Sequence, residues 1–289
     1  MTVYDMSDEC NQVWVYWVDK QHSHRPPYIE RCLESIYVNS ECDVRLCGLA
    51  DAFALLPELP PQFEQLIPAH QSDVFRTGVL SRYGGMYIDA DTFVLKSLRP
   101  LFGLLDDYEY VGMDWRPRAR SEKEWSPIGI GILGPCRPRL TFMTQAFERQ
   151  MLKLWDAGPR LNGSKIETSW FLKMLSRLRR AHPRSGYPFA WEELLSDILV
   201  PSFVECPPRA HMFDGAETWG ALVGGPRWQG GNLGNPMNSM SQIGHVLPDT
   251  ELLTISNSLL PRSVRKSSIV ELEKHETILA HLLRATRHT

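Results

Sequence analysis

The sequence predicts an α/β protein in which helices flank a mostly parallel sheet, with a helical elaboration in the C-terminal half. A β-prone run at 13–18 is apolar on both faces, which is typical of a strand in a sheet that is covered on both sides. Pro27 suits the first turn of a helix, and a second β-prone run follows at 43–49. Strand, helix and strand at this spacing predict a βαβ unit, from which parallel sheets are built.

A helix that ends at a pair of glycines is predicted next. Ser72 or Asp73 is expected to cap its start, and the glycines at 84–85 indicate its end. The apolar residues that follow predict a short strand over 86–90, which breaks off at Asp91. The sequence therefore places an acidic residue directly at a strand end.

The rest of the chain is interpreted from periodicity and turn signals. Further strands are expected over 93–95, 108–113 and 128–133, and helices over 139–155, 165–180, 191–199 and 269–284. Ser268 and Glu271 form the pattern of a capping box in front of the last helix. Because no clear linker separates these elements, residues 1–289 are predicted to form one domain.

Composition limits the function classes. The chain has 289 residues, of which 43% are hydrophobic and 22% charged, and this balance excludes a coiled coil or a disordered chain. With 31 Lys and Arg against 34 Asp and Glu, the net charge of -3 gives no general attraction to nucleic acid or to an anionic membrane. The six cysteines include no CxxC pair, so buried thiols are expected rather than disulfides.

The sequence also predicts a location. No apolar run reaches the roughly 20 residues that span a bilayer, so no transmembrane segment is expected. The polar, acidic N-terminus lacks the basic start and the apolar core of a signal peptide. We therefore expect a cytoplasmic protein, and peripheral association with a membrane stays open.

The strongest chemical signal comes from Asp89 and Asp91, which flank Ala90 after an apolar strand. In an extended chain, residues two apart point to the same side, so the two carboxylates are expected to converge. Ligands of open α/β sheets bind at that edge of the sheet. Paired carboxylates repel each other unless a cation or a proton intervenes, and Mg²⁺ and Mn²⁺ prefer oxygen ligands. A diphosphate with a bridging metal fits this pattern, and a solvated acidic turn is the alternative.

A longer motif surrounds this pair. It reads Ser-Asp-x-x-Arg and then Tyr-Gly-Gly-x-Tyr-x-Asp-x-Asp, within residues 72–91. With it, the chain resembles the DxD-containing glycosyltransferase family 32, which includes capsular polysaccharide synthesis proteins, α-mannosyltransferases, α-galactosyltransferases and the glucosyltransferase domains of clostridial toxins. The resemblance covers roughly residues 12–100. It implies a GT-A-type, Rossmann-like fold, a nucleotide-sugar donor, a divalent metal and retention of anomeric configuration.

The resemblance implies catalytic-site roles for four residues. Asp91 is similar to the direct metal ligand, and Asp89 resembles the carboxylate that contacts the donor ribose and the metal shell. Asp73 and Arg76 resemble the pair that contacts the donor sugar. Physical chemistry agrees, because a metal neutralises the charge that develops on a departing diphosphate and an arginine donates in a fixed fork. A structural ion pair between Arg76 and Asp73 is the alternative.

Three aromatic residues are candidates for substrate binding. Trp17 resembles the aromatic residue that stacks on the base, and Tyr87 resembles a tyrosine of the donor site. Trp228 lies in a glycine-rich loop over 224–236, which is suited to close over the donor as a lid and to exclude water. The alternatives are Trp17 in the core, Tyr87 in sheet packing and Trp228 on a plain surface loop.

The third protein ligand of the metal stays open, because the chain departs from the family pattern after residue 100. His245, Asp249 and Asn257 are the candidates. Asn257 belongs to a segment in which only this residue and Ser258 match the capsular relatives. A structural role for His245 is the alternative.

These features predict a metal-dependent retaining glycosyltransferase that uses Mn²⁺ or Mg²⁺ and moves a hexose from a nucleoside diphosphate sugar to a hydroxyl of a glycan or glycolipid. A stacking Trp17 favours a UDP-sugar, and a GDP-sugar is the alternative. Residues 1–100 are expected to bind donor and metal, and residues 101–289 the acceptor. Two other functions stay open: a catalytically weak relative that binds sugar nucleotides or glycans, and a metal-dependent hydrolase or nucleotidyltransferase. For the hydrolase or nucleotidyltransferase, the sequence lacks the further acidic motif that a two-metal site would need.

Overall fold

The structure, a computed structural model, describes residues 11–19, 25–114, 131–157, 194–214, 219–222, 252–255, 260 and 262–285. The strands in these ranges are β1 (Gln12–Tyr16), β2 (Asp43–Cys47), β3 (Gly85–Ile88), β4 (Thr92–Val94), β5 (Tyr110–Asp114), β6 (Ile132–Cys136), β7 (Ala210–Asp214), β8 (Trp219–Leu222) and β9 (Leu252–Ile255). The α-helices are α1 (Pro27–Asn39), α2 (Leu49–Leu55), α3 (Pro68–Tyr83), α4 (Arg99–Gly103), α5 (Thr141–Asp156), α6 (Ser196–Glu205), α7 (Arg262–Lys266), α8 (Ile269–Leu272) and α9 (Ile278–Ala285).

A six-stranded sheet forms the centre of the molecule, in the order β2-β1-β3-β6-β5-β7. The pairs β1–β2, β1–β3 and β5–β7 are parallel, while β6 runs antiparallel to both β3 and β5. The predicted class, a mostly parallel sheet with flanking helices, is confirmed.

Two hydrophobic cores cover the two faces of this sheet, and the residues of β1 alternate between them. Val13 and Val15 pack with α1 and α9, while Trp14 and Tyr16 pack with α3 and α5. Successive side chains of a strand point to opposite faces, so a strand that is covered twice needs apolar residues at every position. This double burial explains why the β1 sequence is apolar from Val13 to Tyr16.

A second, smaller sheet in the order β4-β9-β8 links the region after β3 to the C-terminal part of the chain. β9 pairs antiparallel with β4, and Thr92 and Thr254 join the two strands through a 2.9 Å contact between their hydroxyls. Strand β4 therefore depends on a partner about 160 residues away in sequence. None of the helices in the described ranges combines the length and the apolar character needed to cross a membrane.

The structure differs from the sequence predictions at several boundaries. Helix α3 begins at Pro68, a residue suited to a first turn, so Ser72 and Asp73 lie inside the helix rather than at its cap. The predicted helix over 269–284 is interrupted, and α8 and α9 are separate, although the capping box of Ser268 and Glu271 is confirmed. β6 and α6 are shifted toward the C-terminus. The predicted helix over 165–180 lies outside the described residues.

The two glycines that end α3 are needed for close backbone packing as well as for the turn. Gly84 and Gly85 have positive φ angles of 68° and 90°. A Cβ at Gly85 would lie 2.4 Å from the carbonyl oxygen of Gln12 on β1, and one at Gly84 would lie 2.7 Å from that of Cys136 on β6. β3 can therefore begin between β1 and β6 only because Gly84 and Gly85 carry no side chain.

We expect Gly85→Ala to lower the free energy of unfolding by at least about 2 kcal/mol, because it adds both backbone strain and a clash with main-chain atoms. Urea unfolding of both proteins measures the difference. Gly103→Ala is the matched control, because nothing lies within 4 Å of the added Cβ at that position. Equal stability of the two variants would contradict the packing argument.

Candidate active site

The candidate site lies where β3 ends and the chain turns. The backbone N–H of Asp89 donates to Gly131 at 2.9 Å, and that of Thr92 donates back to the Asp89 carbonyl at 3.1 Å. Residues 89–91 therefore form a turn rather than an extended segment. The expectation of an extended chain at this point is wrong, because the strand ends at Ile88 before the first carboxylate.

Arg76 is the centre of the charged network at this turn. Its Nη2 lies 3.2 Å from Oδ1 of Asp73 and 3.1 Å from Oδ1 of Asp89, and it donates to Oγ of Ser72 at 2.8 Å. The Arg76 side chain is only 6% exposed, and it joins two residues of its own helix to the residue after β3. The ion pair between Arg76 and Asp73, which the sequence analysis gave as the alternative to sugar binding, is thus present in the structure, and Asp89 joins it.

Tyr87 completes an ordered chain of hydrogen bonds. Its hydroxyl donates to Oδ1 of Asp89 at 3.1 Å and lies 2.6 Å from Oγ of Ser72. Because a phenol has one proton and a carboxylate only accepts, Ser72 must donate to Tyr87 and in turn accept from Arg76. The Arg76 guanidinium also lies over the Tyr87 ring, with its carbon 4.5 Å from the centroid.

The electrostatics of the network follow from burial and from the arginine. Burial raises the pKa of the Asp89 carboxyl; Arg76 opposes this shift and the charge of Asp73 adds to it. Burial alone would lower the pKa of Arg76, but Asp89, Tyr87 and Asp73 raise it above its ordinary value. Burial also raises the pKa of Tyr87 well above its usual range, so the phenol keeps the proton that it donates.

Asp91 lies on the α1 side of the turn. Burial raises the pKa of Tyr28 and of Cys32, both on α1, and in each case the charge of Asp91 adds to the effect. The Asp91 carbonyl accepts a hydrogen bond from the backbone N–H of Ile255 on β9 at 2.8 Å. Its backbone thus joins the turn to the small sheet, and its charge also raises the pKa of Arg76 on α3, which Asp89 contacts directly.

The ionisable groups of the turn carry more negative than positive charge. Among the described residues, Asp73, Asp89 and Asp91 supply three carboxylates and Arg76 supplies one permanent cation, while the His70 imidazole lies 3.5 Å from Oδ2 of Asp73. Both described side-chain contacts of Asp89 fall on Oδ1, which leaves Oδ2 for a cation, and carboxylate oxygens suit Mg²⁺ or Mn²⁺. In the part of the chain that the structure describes, no group of three His, Cys, Asp or Glu residues could hold a metal. Asp89 and Asp91 therefore fit a cation only as part of a larger ligand set.

Of the remaining predicted site residues, only Trp17 lies in the part of the chain that the structure describes. Trp17 directly follows β1, the strand next to β3, and its ring is partly buried against the core. Trp228, His245, Asp249 and Asn257 lie outside the described residues, and so does the glycine-rich loop over 224–236.

Sequence reasoning missed Gln150, a fully buried residue of α5. Its Nε2 donates to the backbone carbonyl of Asp73 at 3.1 Å and also to that of Leu194, and its Oε1 accepts from Thr77. Gln150 thereby fixes α3 at the residue whose carboxylate contacts Arg76. A signal existed, because this glutamine falls on the apolar face of α5 between Ala146 and Leu154.

Comparison with known proteins supports a glycosyltransferase. Residues 38–117 match the family model described as "Glycosyltransferase sugar-binding region containing DXD motif". This region includes α3, β3 and the acidic turn. The prediction of an enzyme of the glycosyltransferase class is confirmed at this level. No curated protein matches the chain.

Several solved structures are similar to the chain. A PaToxG glycosyltransferase shares 12% identity over 68% of this chain and 69% of its own, with a TM-score of 0.41. A glycosyltransferase involved in glycosylation of the major capsid of PBCV-1 shares 13% identity over 89% of this chain and 97% of its own, with a TM-score of 0.41. Mouse xyloside xylosyltransferase 1 shares 10% identity over 86% of this chain and 99% of its own, with a TM-score of 0.42.

Proposed function

We propose that this chain is a metal-dependent retaining glycosyltransferase of the family 32 type. It moves a hexose from a nucleoside diphosphate sugar, UDP-sugar rather than GDP-sugar, to a hydroxyl group of a glycan or glycolipid. The observation that carries this proposal is the Arg76 network, which joins the motif residues Asp73 and Asp89 at one strand end. Residues 1–100 bind the donor, and residues 101–289 complete the acceptor side.

In this proposal, Asp73 and Arg76 read the donor sugar. A buried guanidinium that is already fixed by two carboxylates loses little conformational entropy when a ligand binds. Asp73 accepts from sugar hydroxyls while Gln150 holds its backbone. Pre-organised polar groups of this kind orient a substrate for transfer.

The metal is proposed from the surplus of negative charge at the turn. Asp91, with Asp89 beside it, would hold Mn²⁺ or Mg²⁺, and His245 or Asn257 would supply a further ligand. Asn257 stands two residues after Ile255, whose backbone N–H bonds to Asp91. A bound divalent cation supplies charge neutralisation for the departing nucleoside diphosphate. Both front-face substitution and a covalent intermediate are compatible with the proposal.

A thermal-shift panel tests the function. UDP-, GDP- and CMP-sugars are compared with and without Mn²⁺, because a ligand at about 100 times its dissociation constant adds roughly 2.7 kcal/mol to stability. We expect a shift with a UDP-sugar that requires the metal. A larger shift with a GDP-sugar would contradict the choice of base, and no metal-dependent shift with any donor would contradict the function.

We expect Asp73→Ala to weaken binding of the sugar donor more than binding of the free nucleoside diphosphate. The carboxylate contributes to the sugar site, whereas the nucleotide is held elsewhere. Titration calorimetry with UDP-hexose and with UDP, both in the presence of Mn²⁺, measures the two affinities. Equal losses for both ligands would show that Asp73 supports the site structurally through its contact with Arg76.

A further inference from the structure

His70 lies on the first turn of α3, one turn before Asp73. The residue is only 3% exposed, and its Nδ1 is shielded from solvent and makes no hydrogen bond to any residue that the structure describes. The same Nδ1 lies 3.5 Å from Oδ2 of Asp73. A buried polar group without a partner costs stability, so this nitrogen holds an unused bonding capacity next to the Asp73 carboxylate.

The next two residues of α3 are also buried and polar, but their side chains have partners. Gln71 donates to two backbone carbonyls at 3.3 and 3.2 Å and accepts from the Tyr16 hydroxyl at 3.1 Å. Ser72 bonds to two side chains of the Arg76 network. An apolar side chain of similar size would fill the place of His70 without burying two ring nitrogens, so packing alone does not account for an imidazole here.

The two carboxylate oxygens of Asp73 have different neighbours. Oδ1 lies 3.2 Å from Nη2 of Arg76, whereas Oδ2 faces Nδ1 of His70. An imidazole donates from Nδ1 in one of its two neutral tautomers and also when it is protonated, and a carboxylate accepts. A carboxylate turns easily about its last bond, so a movement of about half an ångström brings Oδ2 within hydrogen-bond distance of Nδ1.

We propose that His70 is a positioning residue of the sugar site. When the donor binds, Nδ1–H of His70 donates to Oδ2 of Asp73, and the carboxylate is then held at both oxygens, by His70 and by Arg76. Each carboxylate oxygen has two lone pairs and keeps one for a sugar hydroxyl, while the group can no longer rotate. Because Nδ1 is shielded from solvent, His70 acts on the sugar through Asp73 rather than by direct contact. The proposal rests on the proposed function, since it assumes that Asp73 accepts from the donor sugar.

Two variants separate the hydrogen bond from the volume of the ring. His70→Leu fills the site but has no donor, whereas His70→Asn places an amide nitrogen near the position of Nδ1. Val79→Ala is the matched control for lost packing, because Val79 is a fully buried residue of the same helix outside the Arg76 network. Calorimetry with the full chain and Mn²⁺ measures the affinities for UDP-glucose, UDP-galactose and UDP, and thermal unfolding checks that each variant folds.

We expect His70→Leu to weaken binding of the UDP-hexose that the wild type prefers at least about fivefold, the size expected for one lost hydrogen bond, and to bind UDP like the wild type. His70→Asn should restore most of the lost affinity, and Val79→Ala should leave both affinities unchanged. In an Asp73→Ala background, His70→Leu should have no further effect, because the two residues act as one unit.

Wild-type affinity for the UDP-hexose in His70→Leu would overturn the inference alone. Equal losses for UDP-hexose and UDP, no recovery in His70→Asn, or an additive loss in the Asp73→Ala background would do the same, because each indicates a structural role. A His70→Leu variant that does not fold would also contradict the inference, since positioning predicts that an apolar side chain of similar size is tolerated. A wild-type protein that binds none of the three ligands, or an Asp73→Ala variant with unchanged donor binding, would overturn the proposed function and, with it, the inference.

Discussion

Asp91→Asn is expected to abolish metal-dependent binding of the donor while leaving the fold intact. The substitution removes one of three carboxylate charges at the turn but keeps the size of the side chain. It also keeps the backbone carbonyl that accepts from Ile255, so the link between the turn and β9 remains. The amide keeps the shape and an oxygen ligand but loses the negative charge, which supplies much of the attraction for a divalent cation.

Thermal unfolding with and without Mn²⁺ and UDP-hexose measures this effect. The variant should unfold near the wild-type temperature without ligands and should show no additional shift when both ligands are present. Asp107→Asn, an exposed residue after the short 3₁₀ helix at Leu104–Asp106, serves as the control and should keep the full shift. Transfer activity near the wild-type rate in Asp91→Asn would show that another residue holds the metal.

Arg76→Met is expected to have the largest effect on stability. It leaves Asp73 and Asp89 facing each other without their shared cation, and their side chains are only 14% and 29% exposed. Removing one partner of a buried ion pair typically costs about 3–5 kcal/mol, because the remaining charge stays in a poorly solvated place. The hydrogen-bond chain through Ser72 and Tyr87 would also lose its first donor.

Urea unfolding measures the loss of unfolding free energy in Arg76→Met. Arg45→Met is the control, because it breaks an exposed pair with Asp51 and should cost no more than about 1 kcal/mol. The double variant Arg76→Met, Asp89→Asn separates charge from packing. If the unpaired carboxylate is the cause, neutralising Asp89 should recover part of the lost stability. The double variant should then be less destabilised than the sum of the two single variants. Equal costs for Arg76→Met and Arg45→Met would contradict the role given to Arg76.

Local sequence signals predicted the parts of the site that lie on one element. Asp73 and Arg76 are three residues apart on a helix, so their contact follows from helical geometry alone. The position of Asp89 after a buried strand was also predictable. The turn at 89–91 was not, because the Asp89 backbone N–H donates to the carbonyl of a distant residue, Gly131. Asp89 consequently contacts Arg76 of α3, while the backbone of Asp91 bonds to β9, a link that the alternation of an extended strand could not indicate.

The residues that only the structure identified act through tertiary contacts. Arg25 lies in a polar stretch before α1, and nothing in its local sequence indicates that it covers Trp17. Gln150 bonds to Asp73 across a helix–helix interface, 77 residues apart in sequence. The start of α3 was misjudged for a related reason, since Ser72 has a typical capping side chain but uses it to contact Tyr87 and Arg76.

The position of β6 has a consequence for synthesis of the chain. β6 pairs with β3 on one side and β5 on the other, although it follows β5 in sequence. While a ribosome extends the polypeptide, β3 therefore keeps one open edge until residues 132–136 have emerged. During that interval the nascent chain exposes an unpaired strand next to the acidic turn, at which another strand could dock and misassemble. The edge of the sheet that holds the candidate site is thus completed only when β6 has emerged. An arrested fragment that stops before residue 132 would carry the whole DxD motif without the strand that supports it.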